Sequence, residues 1–157
     1  MKILKSLTLG LALLTMSQPA LADDKSTVQA FYDFLSNPAS EEHVTAFNSV
    51  VAEDWESIGD YSGHTKSRAE LIGQIGGFGK LIPDLDWSVE EMLLGDGRVV
   101  VRGRATGTPV GPLFGVDGKG KQFEILSIDI HTVEDGKIIR TYHVEDWAGA
   151  LRQLSAK

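Results

Sequence analysis

Ser127, Asp129 and His131 occupy alternate positions of one segment, and Arg140, Tyr142 and Asp146 lie in the next. Between the two segments sits Asp135-Gly136, the dipeptide of a type I′ hairpin turn. A two-residue turn there pairs Glu134 with Lys137 and Val133 with Ile138. It then sets His131 against Arg140, Asp129 against Tyr142, Ser127 against Val144 and Ile125 against Asp146, and paired residues share a face of the sheet. One face thereby collects two carboxylates, an imidazole, a guanidinium and a phenol, edged with apolar side chains. General acid–base chemistry needs such groups within hydrogen-bond reach of a substrate, in surroundings that bring their pKa toward neutral. Polar alternation equally describes a solvated strand face. A β-bulge in the hairpin also shifts the register by one and exchanges the two faces.

The elements that must position these residues follow from periodicity. Ser26 to Leu35 reads as a helix with Val28, Phe31, Tyr32 and Leu35 on one stripe. Ser40, followed by Glu41 and Glu42, caps a second helix whose stripe is Val44, Phe47, Val50 and Val51. Glu53 to His64 mixes Trp, Tyr, Gly and Asp and reads as a loop. Ser67 caps a third helix through Leu71, Ile72 and Ile75, fraying at Gly76-Gly77 and ended by Pro83. Strands follow over Leu85 to Leu94, Arg98 to Thr108, Gln122 to Glu134 and Ile138 to Trp147, with a glycine-rich loop at Pro109 to Gly120. Ala148 to Leu154 closes the chain as a short helix. Helices followed by an antiparallel meander define an α+β class, with one curved sheet wrapped over three helices.

Composition removes several function classes. The chain has 157 residues and no cysteine, so disulfides, thiolate metal sites and cysteine nucleophiles are excluded. Its net charge of −7 argues against nucleic-acid binding, which needs clustered Lys and Arg. The four histidines show no metal-motif spacing, and in the register above His131 and His143 face opposite ways. No metal or cofactor is expected. Gly73, Gly76, Gly77 and Gly79 lack the preceding strand of a phosphate loop.

The N-terminus has the three parts of an export signal: a basic start with Lys2 and Lys5, an apolar run from Leu7 to Met16, and Ala20-Leu21-Ala22 after Pro19. Cleavage is expected after Ala22, leaving a domain of residues 23–157 in the periplasm or outside the cell. The apolar run is too short to span a bilayer comfortably, so no stable membrane insertion is expected.

Several blocks, in order, carry a family resemblance. They are Gly107-Thr108-Pro109-Val110-Gly111-Pro112-Leu113-Phe114-Gly115-Val116, Gly118-Lys119-Gly120-Lys121-Gln122-Phe123-Glu124, Ile128-Asp129-Ile130-His131, Glu134-Asp135-Gly136-Lys137-Ile138 and Val144-Glu145-Asp146-Trp147. Over about Val28 to Leu154 the chain resembles the SnoaL-like polyketide cyclases, or ester cyclases, of the nuclear transport factor 2-like (cystatin-like) superfamily. The resemblance implies a conical α+β barrel with a deep apolar cavity and cofactor-free acid–base closure of a polyketide ester. It implies that Asp146, matching the family's acid–base Asp near the end of the last strand, is catalytic. His131 and Tyr142 are then the donors to an enolate oxygen, and Asp129 orients His131 or a strand neighbour. Ser127 and Trp55 complete the expected substrate-binding set. The chain departs from the family pattern at Pro109, where His is common, and at Arg140-Thr141-Tyr142, where Glu-His-Trp is usual.

Three functions compete at this level, one of them a structural role through the sheet face in a dimer or larger assembly. Another is a cofactor-independent cyclase, lyase or isomerase acting on a small apolar carbonyl compound. The third is a non-catalytic periplasmic module that holds a small apolar or aromatic ligand in the same cavity. Arg102 and Arg104 alternate with Val101, Gly103 and Ala105. That places them on the outer sheet face, which in this fold often packs against a second subunit, so a homodimer is expected.

Overall fold

The computed structural model describes residues 20–157, and the expected export signal lies largely outside them. Helix α1 (Ala20–Ser36) is followed by α2 (Glu41–Val50), which starts at the Ser40 cap. Strand β1 (Val51–Ile58) leaves α2 directly, and the two-residue β2 (Lys66–Ser67) leads into α3 (Arg68–Leu81). Four strands follow, β3 (Asp86–Gly95), β4 (Arg98–Gly107), β5 (Phe123–Glu134) and β6 (Lys137–Glu145), and then α4 (Trp147–Ser155). The six strands form one sheet in the order β2-β1-β6-β5-β4-β3. β2 and β3 are its two edges, so the cone is open and not a closed barrel. Nor is the sheet wholly antiparallel, because β1 runs parallel to β6 at its centre.

Local chemistry accounts for most of the boundaries. Ser67 and Glu70 form a reciprocal capping box at the start of α3. The helix passes through Gly76-Gly77 without fraying, since Leu71 and Ile75 anchor it to the core. It stops where Ile82 donates to the Phe78 carbonyl just before Pro83. At Gly79 a Cβ would stand 2.6 Å from Pro38 Cγ, so only glycine lets α3 lie against the turn after α1. The expected loop at Glu53 to His64 begins as strand: Val51, Trp55 and Ser57 of β1 point into the core.

The hairpin register differs from the expected one. Glu134↔Lys137 and Val133↔Ile138 pair as anticipated, with Asp135 (φ 49°) and Gly136 (φ 72°) in the left-handed turn. Next, Thr132 pairs with Arg140, which leaves Ile139 as an inserted residue in β6. Beyond this bulge the pairs are His131↔Thr141, Asp129↔His143 and Ser127↔Glu145. The β5 half of the expected face survives, and the β6 half is exchanged. Thr141, His143 and Glu145 face the helices; Arg140, Tyr142 and Val144 face outward. Arg140 accordingly forms an ion pair with Glu56 of β1 on the outer surface, 2.8 Å away.

The core lies between the helices and the concave face. Phe31, Phe34, Phe47 and Trp55 pack around one another, with the Phe34 and Phe47 rings 4.3 Å apart. Burying each such ring contributes on the order of 1.5–3 kcal/mol. Helix α4 is pinned to β5 by its Gln153 amide, which exchanges two 2.8 Å hydrogen bonds with the backbone of Glu124.

Candidate active site

A cavity opens between α1, α3 and the concave sheet face, with a free interior of about 60 Å³. At ~10–15 Å³ per water on this scale, it holds a handful of waters or a small organic molecule. Phe31, Leu35, Ile75, Phe78, Trp87 and Trp147 supply its apolar wall. Asp129 and Thr141, with His143, Glu145, Ser57, Lys66 and Gln74, supply the polar one.

Asp129 is 6% exposed, and its Oδ2 accepts hydrogen bonds from Tyr32 Oη at 2.8 Å and Ser127 Oγ at 3.4 Å. Oδ1 takes no hydrogen bond among the described residues and is not sealed from solvent, so it is the oxygen turned to the cavity. Burial pushes the Asp129 pKa up to about 7, the Tyr32 hydrogen bond opposes this, and the Glu145 charge adds to it. Burial and the Asp129 charge hold the Tyr32 phenol well above its ordinary value, so it stays a donor.

Behind Tyr32 runs a buried chain of donors. Tyr32 Oη also lies 3.1 Å from His131 Nε2, and His131 Nδ1 lies 2.9 Å from Thr141 Oγ1, which accepts from Trp55 Nε1 at 3.0 Å. Because the Tyr32 proton goes to Asp129, its oxygen accepts from His131 Nε2–H. Nδ1 is then the acceptor for the Thr141 hydroxyl. Burial, followed by the nearby His143, holds the His131 pKa down at about 3, so the ring is neutral and this tautomer is retained. His131 therefore supports Asp129 from the core and does not reach the cavity.

Beside Asp129, His143 Nδ1 is 2.7 Å from Glu145 Oε1, and His143 Nε2 is 2.9 Å from Ser57 Oγ. Burial disfavours the charged ring of His143, but the Glu145 hydrogen bond and charge, with that of Asp129, outweigh burial and raise its pKa. Gly59 leaves room for this ring, since a Cβ there would lie 3.1 Å from His143 Cε1. The indole nitrogen of Trp87 is the buried side-chain polar atom without a hydrogen-bond partner among the described residues.

The expected site residues separate into two groups. Asp129, Ser127, His131 and Trp55 come together in the cavity and the network behind it. Tyr142 lies on the outer face, in a shallow groove with Ile128, Ile130 and Val144, because the bulge turned it away. Asp146 stands just past the end of β6 as the cap of α4, accepting from Gly149 N at 2.8 Å. Its side chain is 51% exposed and faces Arg152 at 3.6 Å. Tyr32, Thr141, His143 and Glu145 are cavity or network residues that periodicity alone assigned to core or to the opposite face. For the three on β6 the signal is the strand's alternation read one position later.

An open six-stranded α+β cone enclosing one mixed apolar and acidic cavity is the nuclear transport factor 2-like architecture. The family model for SnoaL-like polyketide cyclase matches residues 26–154, and the chain belongs to that family. Among solved structures, a proposed SnoaL-like polyketide cyclase from Jannaschia sp. CCS1 superposes with a TM-score of 0.75 at 22% identity, covering 90% of this chain and 97% of that one. IdmH, a proposed polyketide cyclase from Streptomyces antibioticus, gives 0.74 at 21% identity, covering 85% and 99%. AclR, a proposed hydroxylase from Streptomyces galilaeus, gives 0.72 at 19% identity, covering 88% and 99%. No curated protein matches the chain.

Proposed function

We propose that this protein is an exported, cofactor-independent acid–base catalyst that acts on a small apolar carbonyl compound, with Asp129 as the base and acid. The observation that carries the reading is the Asp129 carboxyl: buried, pushed up to about 7, held through Oδ2 and free at Oδ1. Oδ1 takes the proton from the carbon next to the substrate carbonyl, and the electron pair moves into an enolate. The Lys66 ammonium and the Gln74 amide, on the same cavity wall, supply positive potential to the enolate oxygen. In a ring closure the enolate carbon bonds to a second carbonyl, and Asp129 returns its proton to the new alkoxide. The small cavity favours a substrate with one flat ring or a short chain.

The family membership supports this chemistry, and the capping bond of Asp146 to Gly149 N favours Asp129 over it as the acid–base group of this reading. Export rests on the sequence of residues 1–22. Pairing of two copies through the outer sheet face belongs to the same reading, supported by the exposure there of Leu126 (54%) and Val144 (61%).

The test is hydrogen exchange in D2O, using phenylacetone and methyl acetoacetate as probes and NMR as the readout. The protein accelerates exchange next to the carbonyl, and Asp129→Asn removes the acceleration. Equal exchange by the wild type and Asp129→Asn overturns the reading.

A further inference from the structure

Ser57, His143 and Glu145 come from two neighbouring strands, β1 and β6, and all three line the cavity. Glu145 as a carboxylate only accepts, so His143 Nδ1 carries the proton of their 2.7 Å contact. In the neutral ring Nε2 is then an acceptor, and the Ser57 hydroxyl donates to it across 2.9 Å. A hydroxyl on an imidazole whose other nitrogen is oriented by a carboxylate is the arrangement that activates a serine nucleophile, whatever the fold. None of these three side chains is needed for proton transfer by Asp129.

We propose that Ser57, His143 and Glu145 form a nucleophilic triad that gives this cavity a second activity, hydrolysis of small aryl esters. Ser57 Oγ attacks the acyl carbon while its proton passes to His143 Nε2. The resulting oxyanion faces the cavity that Lys66 and Gln74 also line. Its collapse breaks the bond to the phenol oxygen, which receives the proton from His143, leaving an acyl group on Ser57. Water then attacks that acyl group with His143 as base, the carboxylic acid leaves and Ser57 is restored. The net reaction consumes one ester and one water. The aromatic wall of Phe31, Phe78 and Trp87 suits the aryl leaving group, and the small free volume limits the acyl group to a short chain.

The charged and titratable groups facing His143 are Glu145 on its own strand, Asp129 and the neutral His131 on β5, and Lys66 on β2. Glu145 and Asp129 favour the protonated ring and Lys66 opposes it. Since only the neutral ring accepts the serine proton, ester turnover rises with pH through a value above the ordinary histidine range.

The inference shares its cavity with the acid–base reading but uses a separate readout. The full chain is treated with phenylmethylsulfonyl fluoride and mapped by mass spectrometry, and phenyl acetate hydrolysis is followed with rising pH. The expected result is one sulfonyl group on Ser57 and a loss of roughly 100-fold or more in ester turnover for Ser57→Ala. Glu145→Gln lowers turnover and moves its pH profile toward lower pH, a change that a merely structural carboxylate would not produce. Ser49→Ala, on the exposed side of α2, is labelled and active as the wild type is. Wild-type protein that takes no label at Ser57, or Ser57→Ala with wild-type turnover, overturns the triad. Labelling of Ser57 and exchange next to a carbonyl are independent measurements, so either proposal can fail while the other stands.

Discussion

The Tyr32 hydroxyl on α1 donates to Asp129 Oδ2 on β5 at 2.8 Å, joining residues 97 positions apart. This bond is the direct polar link between the helical layer and the acid at the cavity wall, and it pulls the carboxyl pKa down against burial. Tyr32→Phe removes it. The Asp129 pKa then rises further above about 7, seen as an upward shift in a carbon-13 carboxyl titration. The fold loses about 1–3 kcal/mol in urea denaturation, because His131 Nε2–H is left without its acceptor.

Asp129 and His131 load the fold with opposite pH dependences. Asp129 is raised in the folded state, so its contribution is fully present below the unfolded carboxylate value and is lost as pH rises through about 7. His131 is lowered to about 3, so its contribution is present above the unfolded histidine value and is lost as pH falls. Between about pH 4 and 6.5 the two slopes oppose each other. Asp129→Asn deletes one of them. Its Tm, relative to that of the wild type, therefore climbs as pH rises across this window. Parallel curves would show that Asp129 is not raised.

Asp146 caps α4, and a cap is worth about 0.5–2 kcal/mol. Asp146→Ala lowers stability by that amount, while Asp146→Asn, which still accepts from Gly149 N–H, changes it little. Both keep the exchange activity assigned to Asp129. Loss of that activity in Asp146→Asn, with stability intact, would return the acid–base role to this residue.

Gly77 and Gly79 on α3 separate the two effects of a helical glycine. A Cβ at Gly77 meets open space, so Gly77→Ala stabilises by about 0.5–1 kcal/mol. A Cβ at Gly79 meets Pro38 at 2.6 Å, so Gly79→Ala forces α3 off the turn after α1 and destabilises. Opposite signs in thermal melts are the expected outcome.

Much of this was legible in the chain. Ser40, Ser67 and Asp135-Gly136 announce two helix starts and a turn through local chemistry that needs no tertiary partner. The inward set Ser127, Asp129 and His131 follows from alternation on β5. What sequence reasoning missed depends on contacts between distant segments. β1 reads as loop because its core side, Trp55 and Ser57, is interleaved with Glu56, whose partner, Arg140, comes 84 residues later. Tyr32 sits on an ordinary apolar helical stripe, and only packing on β5 sets its hydroxyl against Asp129. The bulge at Ile139 has no local signature, yet it decides which half of β6 enters the site.

That single extra residue acts as a frame marker for the strand beyond it. Everything from Arg140 to Glu145 is read one position out of phase with a regular hairpin. Deleting Ile139 would remove the bulge yet keep Thr132 against Arg140 and His131 against Thr141, so the strand would hold its present face toward the cavity. A regular ladder through Ile139 would instead put the guanidinium, phenol and isopropyl group of Arg140, Tyr142 and Val144 where the hydroxyl, imidazole and carboxylate of Thr141, His143 and Glu145 now stand. The chemistry of this cavity thus rests on which of two ladders the strand adopts, with a second set of side chains already encoded on its other side.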